Sequence, residues 1–481
     1  MAQAFAELSV AQIQAGLTAK EFSAKEVAES SLARIASADK AVHAFLETTE
    51  EAALAAAARV DAAIAAGDIA QAGPLAGVPV AFKDNMSLEG THTTCSSRML
   101  ENYVSPYTAT CVSKIIEAGG IPLGKLNMDE FAFGSSTETS AFSGGSSAAV
   151  AAGLATLTLG SDTGGSIRQP GSFCGTVAVK PTYGVVSRYG VVAFGSSLDQ
   201  VGPFARNVQD AALAMNALAG HDPLDCTSQP VTTDFTANLA EGVSGMRIGV
   251  VPAFMEAEGL APEVRAKVEE AVEHLRQMGA EIVEVDLPNA QAAMSAYYVL
   301  GPCEAFSNLA RFDSVRYGYC EPGCKDLGHQ YEASRSAGFG PEARRRIMLG
   351  SYLLSAGVYE KYYYPAQQVR TLITQDYVKA YEKVDCIIAP VAPRTAFKFG
   401  EIADPTSMYL SDMFTISINI AGNGGMSMPV GLGADSGMPV GVQLISPAFK
   451  DENMLRAAAA LETVYGAAPV APAFADGKDG E

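Results

Sequence analysis

The residues between Ser143 and Pro170 carry the chemistry this chain can do. They read Ser-Gly-Gly-Ser-Ser-Ala-Ala-Val-Ala-Ala-Gly and then, from Leu159, Leu-Gly-Ser-Asp-Thr-Gly-Gly-Ser-Ile-Arg-Gln-Pro. A glycine has no Cβ, so consecutive glycines before a serine let successive backbone N–H groups converge on one point. Such convergence stabilises the oxyanion of an acyl-transfer transition state. Ser166, preceded by Thr163, Gly164 and Gly165, therefore reads as a nucleophile inside its own oxyanion site. A serine hydroxyl attacks poorly until a neighbouring base takes its proton. The five histidines, His43, His92, His221, His274 and His329, all lie away from this segment in sequence, and Gly-x-Ser-x-Gly occurs nowhere. A base other than histidine is expected.

Two further patterns look like chemistry and are read as structure. Gly119-Gly-Ile-Pro-Leu-Gly124-Lys125 approaches a phosphate-binding loop, but Leu126 stands where a magnesium-holding hydroxyl belongs. Pro122 also removes a backbone donor, so a turn into a strand is expected there. Cys320, Cys324 and His329 are loosely spaced, and structural thiols rather than a metal site are expected.

A nucleophile needs a rigid frame to hold it. The chain has 481 residues, of which 48% are hydrophobic and 18% charged, enough to bury a large core. Its formal charge of −20 repels phosphate backbones, which argues against this chain being the main grip on a nucleic acid. Met1 to Gln14 has the features of neither a signal peptide nor a transit peptide. The most apolar stretch, Ala148 to Gly160, is too short to cross a bilayer, so a cytoplasmic protein with no membrane contact is expected.

The elements that would form this frame are legible in outline. Ser9 to Gly67 reads as helices, and an N-terminal helical segment is expected over 1–70. From Gly73 to Pro203 the Gly, Ser and Thr content rises around short apolar runs such as Val78–Phe82 and Val177–Val179, the texture of buried strands and tight turns. Alanines between the two Gly-Gly-Ser clusters predict a close-packed helix. A helix is expected over Asn207–Ala219, and His274 falls within another over Pro262–Met278, between strands Met246–Val251 and Glu281–Val285. Tyr297 to Leu353 reads as helical, and Asp385–Pro390 as a buried strand. Met426–Leu432 and Met438–Ile445 read as paired strands, and Asn453–Val464 as a closing helix. The result is one mixed α/β domain over 71–470 with helical insertions in its second half, and a tail over 471–481.

The sequence resembles the amidase signature family in specific places. Asp162-Thr-Gly-Gly-Ser166-Ile-Arg-Gln-Pro170 is similar to the family's nucleophile segment, and Gly77-Val-Pro-Val-Ala-Phe-Lys83-Asp84-Asn85 to the segment of its catalytic lysine. The resemblance implies an α/β amidase signature fold, a mixed sheet covered by helices on both faces. It also implies a Ser–Ser–Lys triad in which an uncharged Lys83 is the base and a second serine bridges it to Ser166. Apolar neighbours such as Val78-Pro-Val-Ala-Phe82 can depress a lysine pKa enough for that role. One departure stands out. The chain runs from Thr137-Glu-Thr-Ser-Ala-Phe142 straight into Ser143-Gly-Gly-Ser146, without a stretch of loop that the family carries before its bridging serine. Aligned from the downstream side, Ser143 matches the second serine of the family's pair and Phe142 falls at the bridge position; Ser143 is taken as the bridge, with Ser146 as the alternative.

Several segments resemble one branch of that family, the glutaminase subunits of glutamyl-tRNA(Gln) amidotransferases. They are Gly124-Lys-Leu-Asn-Met-Asp-Glu-Phe131, Lys180-Pro-Thr-Tyr-Gly184, Ser196-Ser-Leu-Asp-Gln200, Arg316-Tyr-Gly-Tyr319 and Arg345-Arg-Ile-Met-Leu-Gly350. The resemblance implies that Arg346 binds the carboxylate of glutamine and Asp412 its amine, with Tyr297 beside them. It further implies a heterotrimer with subunits B and C, in which ammonia passes to the subunit that converts Glu-tRNA(Gln) to Gln-tRNA(Gln). ATP and Mg2+ would be used by the complex through that partner, and no cofactor is expected on this chain. A stand-alone amidase and a catalytically weakened scaffold subunit are the other readings, the latter because of the shortened stretch before Ser143.

Overall fold

Ser9 and Ser23 start the first two long helices with reciprocal caps. Each serine oxygen accepts the N–H of the residue three positions on, Gln12 or Glu26, whose side chain accepts the cap's own N–H. Their helices, Val10–Ala19 and Ala24–Val42, are followed by a third, Glu50–Ala65. This segment is not wholly helical, as the sequence suggested. Phe45–Thr48 forms a strand, β1, too short for any alternation to be read from its residues. The computed structural model describes residues 5–134, 136, 145–402, 404–475 and 478.

The other strands are β2 (Pro79–Lys83), β3 (Ile121–Leu126), β4 (Leu157–Asp162), β5 (Val177–Lys180), β6 (Gln200–Ala205), β7 (Arg247–Val250), β8 (Glu281–Glu284), β9 (Cys386–Pro390), β10 (Gly424–Leu432) and β11 (Pro439–Ser446). They form one eleven-stranded sheet in the order β1-β3-β2-β4-β6-β5-β10-β11-β9-β7-β8. Strands β3, β2 and β4 run parallel, as do β9, β7 and β8. The pairings from β4 through β6, β5, β10 and β11 to β9 are antiparallel, and so is β1 on β3. All residues of β2 to β6 and of β9 are buried, while the edge strands β1 and β8 have none. Burial of successive residues means that both faces of the sheet's middle are covered, as the α/β reading implied. The N-terminal helices bring Ile13, Leu17, Val27 and Ile35 against Ile121 and Leu123 of β3. A larger core gathers the remaining helices on the sheet.

The strand–helix–strand unit, the hairpin of β10 and β11 and the closing helix Asp451–Tyr465 stand where sequence pattern placed them, as does helix Val208–Leu218. Two further expectations need correction, and one helix went unread. Between the two Gly-Gly-Ser clusters lies a short helix, Ser146–Ala151, and then β4, rather than one helix. The Leu-Thr-Leu run is better buried as a central strand. The region from Tyr297 to Leu353 is three helices, Ala293–Leu309, Leu327–Gly338 and Pro341–Leu353, parted by a non-helical stretch over 310–326. Helix Tyr359–Tyr381 was not anticipated; it holds Pro365 within its first two turns.

The phosphate-loop look-alike is a turn into β3. Gly119 has φ +95°, and a Cβ there would lie 2.1 Å from the Ala72 carbonyl oxygen. Lys125 is fully buried and forms an ion pair with Asp84 at 2.9 Å, while donating to the His92 carbonyl and Thr93 Oγ1. Cys324 Sγ donates to the Glu321 carbonyl and His329 Nδ1 accepts from the Lys325 N–H, so both serve a local turn. Among the described residues no three or more His, Cys, Asp or Glu side chains converge as metal ligands. Lys125→Ala would leave Asp84 charged and unpaired in the core, and a stability loss of about 3–5 kcal/mol is expected in urea denaturation.

Candidate active site

Parallel neighbours in a sheet deliver their carboxyl ends to the same edge, where α/β proteins build sites. Lys83 is the last residue of β2, and Asp162 is the last of the adjacent β4. Lys83 is buried, and its Nζ donates to the Ser161 carbonyl at 3.2 Å. Burial pushes its ammonium pKa below the ordinary lysine value, against the opposing pull of Asp129, Asp162 and Asp199. The two residues after Lys83 are both tethered. Asp84 pairs with Lys125, and Asn85 Nδ2 donates to Ser161 Oγ at 3.0 Å.

The chain then has to turn from β4 into helix Arg168–Cys174, and the turn carries Ser166. Its two ends are locked together. Arg168 donates from Nε and Nη2 to the two oxygens of Asp162 at 3.1 and 3.0 Å, and both side chains are fully buried. Burial alone would raise Asp162, but Arg168 prevails and holds its carboxyl at about 2. Between these ends, Thr163 Oγ1 donates to Asp199 at 2.6 Å, and Thr415 Oγ1 donates to the Gly164 carbonyl at 2.6 Å. Both glycines are required by close approach. A Cβ on Gly165, at φ +149°, would lie 2.5 Å from Thr415 Oγ1, and one on Gly164 would lie 2.8 Å from Tyr297 Cζ. The N–H groups of Gly164 and Gly165 donate to no other described residue. Ser166 Oγ donates to the Gly134 carbonyl at 2.9 Å. It shares a cavity of about 320 Å³ with Lys83, walled by Asp129, Ser146, Phe173 and Phe397.

Ser143 lies outside the described residues. Ser146, the alternative bridge, lines the cavity but donates its hydroxyl to the Leu159 carbonyl at 3.0 Å. Ser147 Oγ donates to the Pro170 carbonyl at 2.8 Å. Both hydroxyls thus hold the short helix to β4 and to the helix that follows Ser166.

The three residues expected to bind substrate meet beside the nucleophile loop, and none of them lines that cavity. Tyr297 presses on Gly164, and its ring centre lies 5.2 Å from that of Tyr298. Tyr298 donates its hydroxyl to Asp412 Oδ2 at 3.0 Å, and the Arg346 guanidinium carbon lies 4.8 Å from its ring centre. Gln169 Nε2 donates to Asp412 Oδ1 at 2.7 Å. Burial raises the Asp412 carboxyl to about 6, while the bonds from Gln169 and Tyr298 and the charge of Arg346 oppose the rise. Arg346 Nε donates to Glu342 Oε1 at 2.6 Å, which also accepts the Tyr409 hydroxyl at 2.9 Å. Its two Nη groups bond to no described residue. The result is a buried cation and a half-buried carboxylate, both oriented, beside a serine whose loop can hold an oxyanion.

Sequence reasoning missed Gln169, Tyr298, Glu342, Tyr409 and Thr415. Gln169 and Tyr298 are adjacent in the chain to motif positions, and Glu342 precedes Arg346 by one helical turn, which is the available signal. Tyr409 and Thr415 become neighbours of the site only through the fold. A lysine acts as a base only when uncharged, so with Lys83 in that role turnover at Ser166 should rise with pH through its pKa. The rising limb of the pH–rate profile is therefore expected below the ordinary lysine range. Gly165→Ala should lower turnover at least about 10²-fold by displacing the oxyanion loop.

Comparison with known proteins identifies the family. The Amidase family model matches residues 26–142 and 143–455. The A subunit of the glutamyl-tRNA(Gln) amidotransferase of Synechococcus sp. (strain JA-3-3Ab) is 50% identical over 463 residues, covering 93% of this chain and 90% of the relative. The corresponding A subunit of Gloeobacter violaceus is 51% identical over 472 residues, covering 94% of this chain and 96% of the relative. Among solved structures, the A subunit from Thermotoga maritima superposes with a TM-score of 0.79 at 38% identity, covering 97% of this chain and 98% of that one. The peptide amidase of Stenotrophomonas maltophilia gives 0.80 at 28% identity, with coverage of 97% and 98%. The chain belongs to the amidase signature family, among the A subunits of glutamyl-tRNA(Gln) amidotransferases.

Proposed function

We propose that this chain is the glutaminase subunit of a glutamyl-tRNA(Gln) amidotransferase. The observation that carries the reading is the buried Arg346 and the half-buried Asp412, joined through Tyr298 beside the loop of Ser166. A free α-amino acid presents a carboxylate and an ammonium at fixed separation, and a site that grips it needs one cation and one anion held apart. An amide lacking those groups has no use for either charge. In this reading Arg346 takes the carboxylate of glutamine through its Nη groups and Asp412 takes the ammonium, with Tyr297 lining the approach to Gly164.

The chemistry follows from the loop. Ser166 Oγ attacks the side-chain amide carbon while its proton passes to uncharged Lys83, with Ser143 as the bridge. N–H groups over Thr163, Gly164 and Gly165 hold the oxyanion. Collapse of the tetrahedral intermediate breaks the C–N bond, and the lysine's proton leaves with ammonia. Water then attacks the acyl-enzyme, and glutamate departs as Ser166 regains its proton.

The ammonia would pass to a B subunit that activates Glu-tRNA(Gln) with ATP and Mg2+, in a heterotrimer completed by a small C subunit. This chain needs no cofactor for its own step, and burial of Lys125 leaves its phosphate-loop look-alike unsuited to nucleotide. A net charge of −20 fits a division of labour in which a partner holds the tRNA. No helix among the described residues is long and apolar enough to cross a membrane.

Ammonia release from glutamine, with and without subunits B and C, tests the reading. Release that rises with the partners and falls at least about 10³-fold in Ser166→Ala is expected. Silence in the complex would make the chain a scaffold, and release from simple amides but not glutamine would make it a stand-alone amidase. Asp412 must be ionised to hold an ammonium, so KM for glutamine should climb as the pH falls through about 6.

A further inference from the structure

Tyr298 touches both charged residues of the recognition site and two of the rings around them. Its hydroxyl bonds Asp412 at 3.0 Å, and Arg346 lies against its ring. The ring stacks on Tyr409 with centres 4.2 Å apart, and Tyr409 in turn bonds the Glu342 carboxylate that orients Arg346. Its other edge meets Tyr297, which touches Gly164 of the nucleophile loop. A rigid aromatic ring with one polar atom holds two charges at a set distance without adding charge of its own.

We propose that Tyr298 is a positioning residue for recognition of the substrate's α-amino group, fixing Asp412 relative to Arg346 and both relative to Gly164 and Ser166. This inference rests on the glutaminase reading above and adds to it a residue that touches neither the scissile amide nor the nucleophile. The groups that face Asp412 are Tyr298, Gln169 and Arg346, with Asp162 as the nearby like charge. Of the two side-chain donors to that carboxylate, only Tyr298 also contacts Arg346. Without its hydroxyl, Asp412 keeps one donor and the orientation of its second oxygen is lost. A ligand ammonium would then meet a less ionised and less fixed carboxylate, whereas a ligand carboxylate would still meet Arg346 against an intact ring.

The test is a pair of ligands and a conservative variant. Tyr298→Phe keeps the ring and its stacking and removes only the hydroxyl. Calorimetric binding to Ser166→Ala protein compares glutamine with glutaramate, which has the amide and the carboxylate but no amino group. Loss of a hydrogen bond to a charged group predicts about tenfold weaker glutamine binding in the Tyr298→Phe background. Glutaramate binding should change by less than about twofold. In the active complex, the same variant should raise KM for glutamine with little change in kcat and move the acid limb of kcat/KM to higher pH. Equal weakening for both ligands would show a structural role and overturn the proposal, as would no weakening for either. Binding of glutamine with this discrimination, but without ammonia release in the complex, would retain the role of Tyr298 and discard the glutaminase reading. Failure of Ser166→Ala protein to bind glutamine at all would overturn both.

Discussion

The ion pair of Asp162 and Arg168 is the interaction on which the site depends. A charge pair removed from water recovers its desolvation cost only if its remaining hydrogen-bonding capacity is filled. Here it is filled. Beyond its two bonds to Asp162, Arg168 donates to the Thr415 carbonyl, to Gln443 Oε1 and to Asn419 Oδ1, and Asn419 Nδ2 donates back to Asp162. Asp162 also accepts the N–H of Ile167. The pair thus ties the end of β4 and the start of the following helix to β11 and to helix Ile416–Ala421. Ser166 is carried between two points that cannot move independently. Its loop has no freedom to widen, so glycines are needed where Tyr297 and Thr415 press against it.

A second constraint follows from comparing three buried lysines. Lys125 has the Asp84 carboxylate at 2.9 Å, and Lys180 donates to Gln200 Oε1 and to two backbone carbonyls. Lys83 has a single hydrogen bond among the described residues, to a carbonyl at 3.2 Å. Hydrogen bonding is fullest at the first two, although burial and the nearby Arg168 still push Lys180 down to about 7, and it is least at the third. Only the third opens on the cavity of Ser166. A lysine becomes a usable base by that kind of under-solvation, and its two neighbours in sequence, Asp84 and Asn85, are tethered so that it cannot swing out to water.

How much of this was legible depended on range. The nucleophile loop could be read because its constraints are local: Gly164 and Gly165 announce a close-packed turn, and Asp162 and Arg168 stand at its ends. Most strands could be read from short β-branched runs. β1 could not, because four residues carry no period, and helix Tyr359–Tyr381 could not, because Pro365 and a run of tyrosines obscure it. The recognition site was legible only as isolated positions, since Tyr297, Arg346 and Asp412 come from three separate segments. What joins them is a set of side-chain contacts through Tyr298, Tyr409 and Glu342, and no spacing rule in one sequence encodes contacts between segments so far apart.

The two halves of the site also come from different kinds of structure. Lys83, Asp162 and the turn of Ser166 belong to the parallel part of the sheet, which is buried on both faces. Tyr297, Tyr298 and Arg346 belong to helices Ala293–Leu309 and Pro341–Leu353, and Asp412 to the segment before helix Ile416–Ala421. A sheet buried on both sides tolerates little change, whereas helices packed over one end can exchange their inward-facing residues with modest repacking. That arrangement accounts for a fold shared at a TM-score of 0.80 with an enzyme named for peptide amides, at only 28% identity. The reaction is set where the strands end, and the choice of amide is set by which helical side chains reach that place. Under the glutaminase reading, Arg346 and the half-buried Asp412 would make that choice narrow, because a substrate lacking either complementary charge would leave one of them without its partner.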